Sequence, residues 1–132
     1  MRDNVLTITT IAITIIASLL SGIIGVAASS YFVYKLERRK LKFDLAKRLL
    51  GHRFSIKGDE FSCAMNQVIA VFADSPQVLQ AMRNLYHALE SPGKLQAEEA
   101  LVDFLKAVCK DAGLAQVKLN DSYFLKTFNP RD

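Results

Sequence analysis

Residues 4–34 contain no charged side chain, and Ile, Val, Leu and Ala dominate the run. That is 31 consecutive residues. At about 1.5 Å per residue an α-helix of this length reaches roughly 46 Å, against a hydrocarbon core about 30 Å thick. One span fits, tilted or protruding, and two do not. A single apolar segment in lipid can satisfy its backbone only as a helix. The run therefore predicts one N-terminal transmembrane helix over residues 1–34.

The flanks orient it. Arg2 and Asp3 nearly cancel on one side, while Lys35, Arg38, Arg39, Lys40 and Lys42 crowd the other. Such an excess stays in the cytoplasm, which predicts an N-terminus outside and a C-terminal domain inside. The same five residues are the expected contacts for anionic lipid head groups, their first expected partner. A cleaved signal peptide competes, because Val26-Ala27-Ala28 offers small residues after an apolar stretch. Against it, apolar residues continue through Tyr31, Phe32, Val33 and Tyr34 into the basic cluster, the pattern of a stop-transfer segment with an interfacial aromatic belt.

Small and hydroxyl residues recur within the run. Thr7, Thr14, Ser21 and Ala28 are spaced by seven, and a neighbouring row runs Ser18, Gly22, Gly25, Ser29. Helices in lipid associate through close packing at small residues and through inter-helix hydrogen bonds. Thr14, Ser18, Ser21, Gly22, Gly25 and Ser29 are accordingly the expected contacts of a homo-oligomer. Each hydroxyl can alternatively bond the backbone carbonyl one turn back. No ionisable group lies in the span to define an ion pathway, so it reads as an anchor before it reads as a pore.

The formal net charge of +4 is unevenly placed. Residues 35–57 hold nine Lys or Arg against Glu37 and Asp44, while residues 58–132 hold seven against ten acids. The chain therefore divides into an anchor over 1–34, a basic juxtamembrane helix and loop over 35–57, and a helical domain over 58–132. The fold class is all-α: a membrane helix running on into a small cytosolic bundle of about four helices with an ordered tail.

Its periodicity gives the elements. The membrane helix continues to Leu50 with Leu41, Leu45 and Leu49 on one stripe, and Gly51 stops it. Residues 52–58 read as a loop. Asp59 is placed to cap a second helix, in which Phe61, Met65, Val68 and Phe72 form the inner stripe. Ser75 as N-cap and Pro76 at the first helical position open a third, with Val78, Leu79, Met82, Leu85, Tyr86 and Leu89 on its apolar face. Ser91-Pro92-Gly93 ends it. A fourth helix over 95–111 turns Leu101, Leu105, Val108 and Cys109 inward, with Gly113 as C-terminal cap. Leu119, Tyr123, Phe124, Leu125 and Phe128 are apolar enough to pack back on the helices. Cys63 and Cys109 read as reduced core residues.

Several stretches resemble an uncharacterised family of small bacterial single-pass membrane-anchored proteins, known as a domain of unknown function. They are Leu49-Leu50-Gly51-His52-Arg53-Phe54, Lys57-Gly58-Asp59-Glu60-Phe61, Asn66 and Val71-Phe72-Ala73-Asp74-Ser75-Pro76, then Cys109-Lys110-Asp111-Ala112-Gly113 and Leu119-Asn120-Asp121-Ser122-Tyr123-Phe124-Leu125. The resemblance covers most of the chain after the anchor. It implies the same anchored topology in a bacterial inner membrane and brings no activity with it.

Catalytic patterns are missing from the sequence. There is no HExxH, CxxC, GxSxG or phosphate-cradling glycine loop, and His52, Cys63, His87 and Cys109 lack the paired spacings of a zinc site. The expectation is a non-enzymatic chain without metal or cofactor. Asn120, Asp121 and Ser122 read as a turn or cap rather than as catalytic groups. Lys47, Arg48, His52, Arg53 and Lys57 lie farther from the bilayer, next to the start of the second helix, where guanidinium groups and a helix N-terminus both favour anions. They are the candidate set for an anionic ligand such as a nucleotide or nucleic-acid backbone; the competing reading pairs Arg48 or Arg53 with Asp59 or Glu60. The expected function is oligomerisation and binding of a protein partner or anionic ligand beside the membrane. The alternatives are a nucleotide-gated membrane effector of antiphage defence and, behind it, an unrecognised hydrolase.

Overall fold

The computed structural model describes residues 1–90, 93–114 and 125–126. All regular structure among them is α-helix: α1 Arg2–Gly51, α2 Asp59–Val71, α3 Pro76–Glu90 and α4 Lys94–Ala112. The chain divides into two units, residues 1–37 and residues 38–132. The last turns of α1, from Arg38, and the loop after it thus group with the C-terminal residues.

In the first unit every residue is exposed, including Ile11, Ile15, Leu19, Ile23 and Val26. Helix α1 is long and apolar enough to cross a membrane. In water such a surface costs about 25 cal/mol for each Å² left uncovered, so it needs lipid or another apolar surface around it. The hydroxyls bond their own helix: Thr7 donates to the Asp3 carbonyl at 2.8 Å, Thr9 to Val5, Thr10 to Leu6 at 2.9 Å, Thr14 to Thr10 at 2.8 Å and Ser18 to Thr14 at 2.8 Å. That removes the cost of carrying an unpaired hydroxyl into hydrocarbon.

The second unit has a core to which all four helices contribute. Leu45, Ala46 and Leu49 of α1 are buried with Phe61, Ala64, Met65 and Val68 of α2, Val78, Met82 and Leu85 of α3, and Leu101, Phe104, Leu105, Val108 and Ala112 of α4. Helices α3 and α4 pack on each other. The inner stripe of α2 is the expected one, because steps of four and three keep side chains on one face of a helix. In α4, Val102, Phe104 and Ala112 join the expected Leu101, Leu105, Val108 and Cys109.

Two glycines have clear physical reasons. Gly113 adopts φ 73°, the left-handed conformation, and its N–H bonds the Lys110 carbonyl while Leu114 N–H reaches Cys109. This satisfies the free carbonyls at the end of α4. Gly58 sits at ordinary φ, but a Cβ there would stand 2.8 Å from the Ser55 hydroxyl. A side chain there would force the Ser55 hydroxyl to turn away and crowd its carbonyl at 3.1 Å.

Some expectations change. Gly58, not Asp59, is the N-cap of α2, with no side-chain cap bond. Asp59 is instead the first helical residue, where it and Glu60 offset the positive end of the helix dipole. Leu41 lies off the buried stripe, and Tyr86 and Leu89 face outward. Cys63 is exposed, whereas Cys109 is buried. Leu125 packs partly buried against the core. The expectations for Ser91, Pro92, residues 119–124 and Phe128 fall outside the described residues.

Candidate functional site

The basic residues after the membrane run do not act alike. Lys42 lies on the face of α1 that also carries Leu45, Ala46 and Leu49, three, four and seven residues on, and its side chain is only 13% exposed. Its ammonium touches Asp74 Oδ1 at 2.8 Å and Asp111 Oδ2 at 2.7 Å, and donates to the Ser75 hydroxyl at 3.1 Å. Three N–H donors meet three acceptors, which is all a lysine can offer. The Phe72 ring centroid lies 5.5 Å away, and Arg38, one turn earlier, reaches Asp74 at 3.4 Å.

Lys42 and Arg38, two of the residues expected to meet lipid head groups, make ion pairs within the second unit. The physical reason is the helical face: a charge on the buried side of α1 must find carboxylates or go unpaired. Lys35, Arg39 and Lys40 are exposed, with no ion pair among the described residues.

Burial lowers the Lys42 pKa, but hydrogen bonds to Asp111 and Asp74, with their charges, outweigh it and leave the net shift upward from 10.5. The hydrogen bond from Lys42 holds the Asp74 carboxyl below its usual 3.8 against the opposing effect of burial. The lysine's contribution to stability is complete below pH 10.5 and is lost as pH rises through its raised folded value. The aspartate's contribution is complete above 3.8 and is lost as pH falls through its lowered one. Stability should therefore be flat between those limits as far as this cluster goes, with one limb on each side. A pH series of thermal unfolding checks it.

The candidate anion set is scattered in role. Arg53 donates to the Leu50 carbonyl at 2.6 Å and the Lys126 carbonyl at 3.2 Å. Arg48 lies 3.7 Å from Glu60, and the Lys47 ammonium lies 5.5 Å from the Phe43 ring centroid. The His52 carbonyl accepts the Ser55 N–H, and Lys57 is exposed. Arg53 is thus part of the scaffold, bracing the end of α1 against residue 126. Arg48 takes up the structural pairing with Glu60. Among the described residues no three His, Cys, Asp or Glu side chains gather to hold a metal ion.

Helices α2 and α3 also carry an exposed apolar surface. Ile69, Tyr86 and Leu89 are exposed there, and two hollows adjoin Tyr86. One, of about 210 Å³, is lined by Phe61, Met65, Leu85, Leu89 and Leu101 among others. The second, of about 390 Å³, is bounded by Ile69, Leu79, Met82, Arg83, His87 and Glu90. The signal was present: Tyr86 and Leu89 lie at the edge of α3's apolar stripe, and the core leaves them half exposed.

No protein-family model, curated protein or solved structure matches the chain.

Proposed function

We propose that this is a non-enzymatic, single-pass membrane protein with its N-terminus outside and its helical domain on the cytoplasmic side, in a bacterial inner membrane. The domain self-associates and binds a protein partner or an anionic ligand beside the bilayer. The observation that carries the reading is the exposed, uncharged apolar helix over residues 4–34, followed at once by exposed Lys35, Arg39 and Lys40. A lipid phase covers the first, and anionic head groups suit the second.

Self-association draws on two features. Gly22 and Gly25 have nothing within 4 Å of an added Cβ, so their backbone is open to a close neighbour helix. The Tyr86 surface offers a second contact outside the bilayer. For an anionic ligand, Lys47, His52 and Lys57 are the side chains left to offer, with Arg53 held by carbonyls.

Mass measurement of the full chain in detergent tests the association and should give a multiple of the 14.7 kDa protomer. A protomer mass alone contradicts it. Titration with a labelled oligonucleotide or a nucleotide at low salt tests the ligand arm. Binding that Lys57→Ala weakens supports it, and no binding leaves the protein partner as the reading.

A further inference from the structure

The outward surface of α3 combines two kinds of complementarity. Arg83 and Glu90 are seven residues apart, about 10.5 Å along the axis and nearly two full turns, so they share a face. Both are exposed, and both border the same hollow. Tyr86 stands between them, half exposed and lining both hollows. A surface carrying a half-exposed ring beside apolar hollows, and both signs of charge at equal distances from its centre, can pair with itself under a twofold rotation.

We propose that this face of α3 binds the same face of a second copy of the chain, antiparallel, about a twofold axis passing between positions 86 and 87. That axis sets Arg83 opposite Glu90 of the other copy and Glu90 opposite its Arg83. Each Tyr86 then lies opposite position 87 of the other copy, at the edge of the hollow that His87 and Ile69 line. An apolar peptide or acyl chain would fill the hollows but would not supply an acid and a base at the matching ends. The second copy supplies both.

The inference rests on the anchored, self-associating reading above, which also removes an objection from size. A free dimer needs roughly 1,000 Å² or more of buried surface. Two copies held in one bilayer meet at a high effective concentration, so a smaller patch suffices.

The test uses the full chain in detergent micelles, in a Cys63→Ser, His87→Cys background that puts a thiol beside the axis. Mild oxidation should give a disulfide-linked dimer. Arg83→Glu or Glu90→Arg, each placing like charges opposite one another twice, should slow that cross-linking by about tenfold. An equimolar mixture of the two variants restores opposite charges at both ends and should recover the parent rate as a heterodimer. Continued protection of Cys109 in each variant shows that it is folded. A protomer mass in detergent overturns both this inference and the self-association it rests on. An oligomeric mass without cross-linking at position 87, a charge variant that cross-links at the parent rate, or a mixture that fails to recover overturns this interface alone.

Discussion

Phe104→Ala is expected to destabilise the C-terminal unit severely while the anchor still inserts. Phe104 is completely buried on α4, among core residues from all four helices. Truncating a phenylalanine in such a place costs about 3–5 kcal/mol, through lost burial and the cavity left behind. A domain of this size has roughly 5–15 kcal/mol in all. The buried Cys109 thiol, whose pKa burial also raises, reports the change directly. In a Cys63→Ser background its alkylation rate should rise by roughly two to four orders of magnitude, since each 1.4 kcal/mol is about a factor of ten. An unchanged rate would mean that Phe104 does not hold the core together.

The second large effect concerns Lys42. Replacing it with Met keeps the aliphatic stem but leaves Asp74 and Asp111 without their shared ammonium and the Ser75 hydroxyl without that donor. Removing one partner of a fully buried ion pair costs about 3–5 kcal/mol, and an exposed pair is worth about 0–1 kcal/mol. The lysine is well covered, while the Asp74 side chain is half exposed, so about 2 kcal/mol is the expected loss. Arg48→Met, which breaks only the exposed contact to Glu60, should cost about 0.5 kcal/mol or less. Lys42→Met should also remove the alkaline limb of the pH profile. Equal effects from the two substitutions would show that Lys42 is an ordinary surface charge.

These two residues mark where the sequence was legible and where it was not. The apolar steps from Phe61 to Phe72 and the left-handed glycine after α4 are local signals, and local signals survive folding. Phe104 was equally readable, three residues beyond Leu101 on the same stripe. So was the exposure of Cys63, since two residues from Phe61 is about 200° around a helix. Lys42 was different. Its partners Ser75 and Asp111 lie 33 and 69 positions along the chain, and nothing near either in sequence announces them. The basic run was read by its total charge, which hides that Arg38 and Lys42 point into the domain while Lys35, Arg39 and Lys40 point out. Arg53 was hidden for the same reason: it donates to two carbonyls, one of which, at Lys126, is contributed from the other end of the chain.

If the Tyr86 surface and the open glycines in the span both face other copies, association inside and outside the bilayer reinforce each other. The Lys42 cluster then has a mechanical meaning. It joins the last turns of α1 to the α2–α3 turn through Asp74 and Ser75 and to the end of α4 through Asp111. Loosening it should weaken the second unit without touching insertion.

In the proposed topology residues 4–34 span a membrane and hold the domain on its cytoplasmic side. Cys63, exposed on α2, is a native reporter of that side, and Cys109 is its buried internal control. The decisive measurement treats spheroplasts of a bacterial host expressing the full chain with a membrane-impermeant maleimide, then isolates alkali-washed membranes. The account predicts the chain in the membrane fraction with Cys63 unlabelled in intact spheroplasts and labelled once they are permeabilised. Labelling of Cys63 from outside, or loss of the chain from the washed membranes, would contradict it.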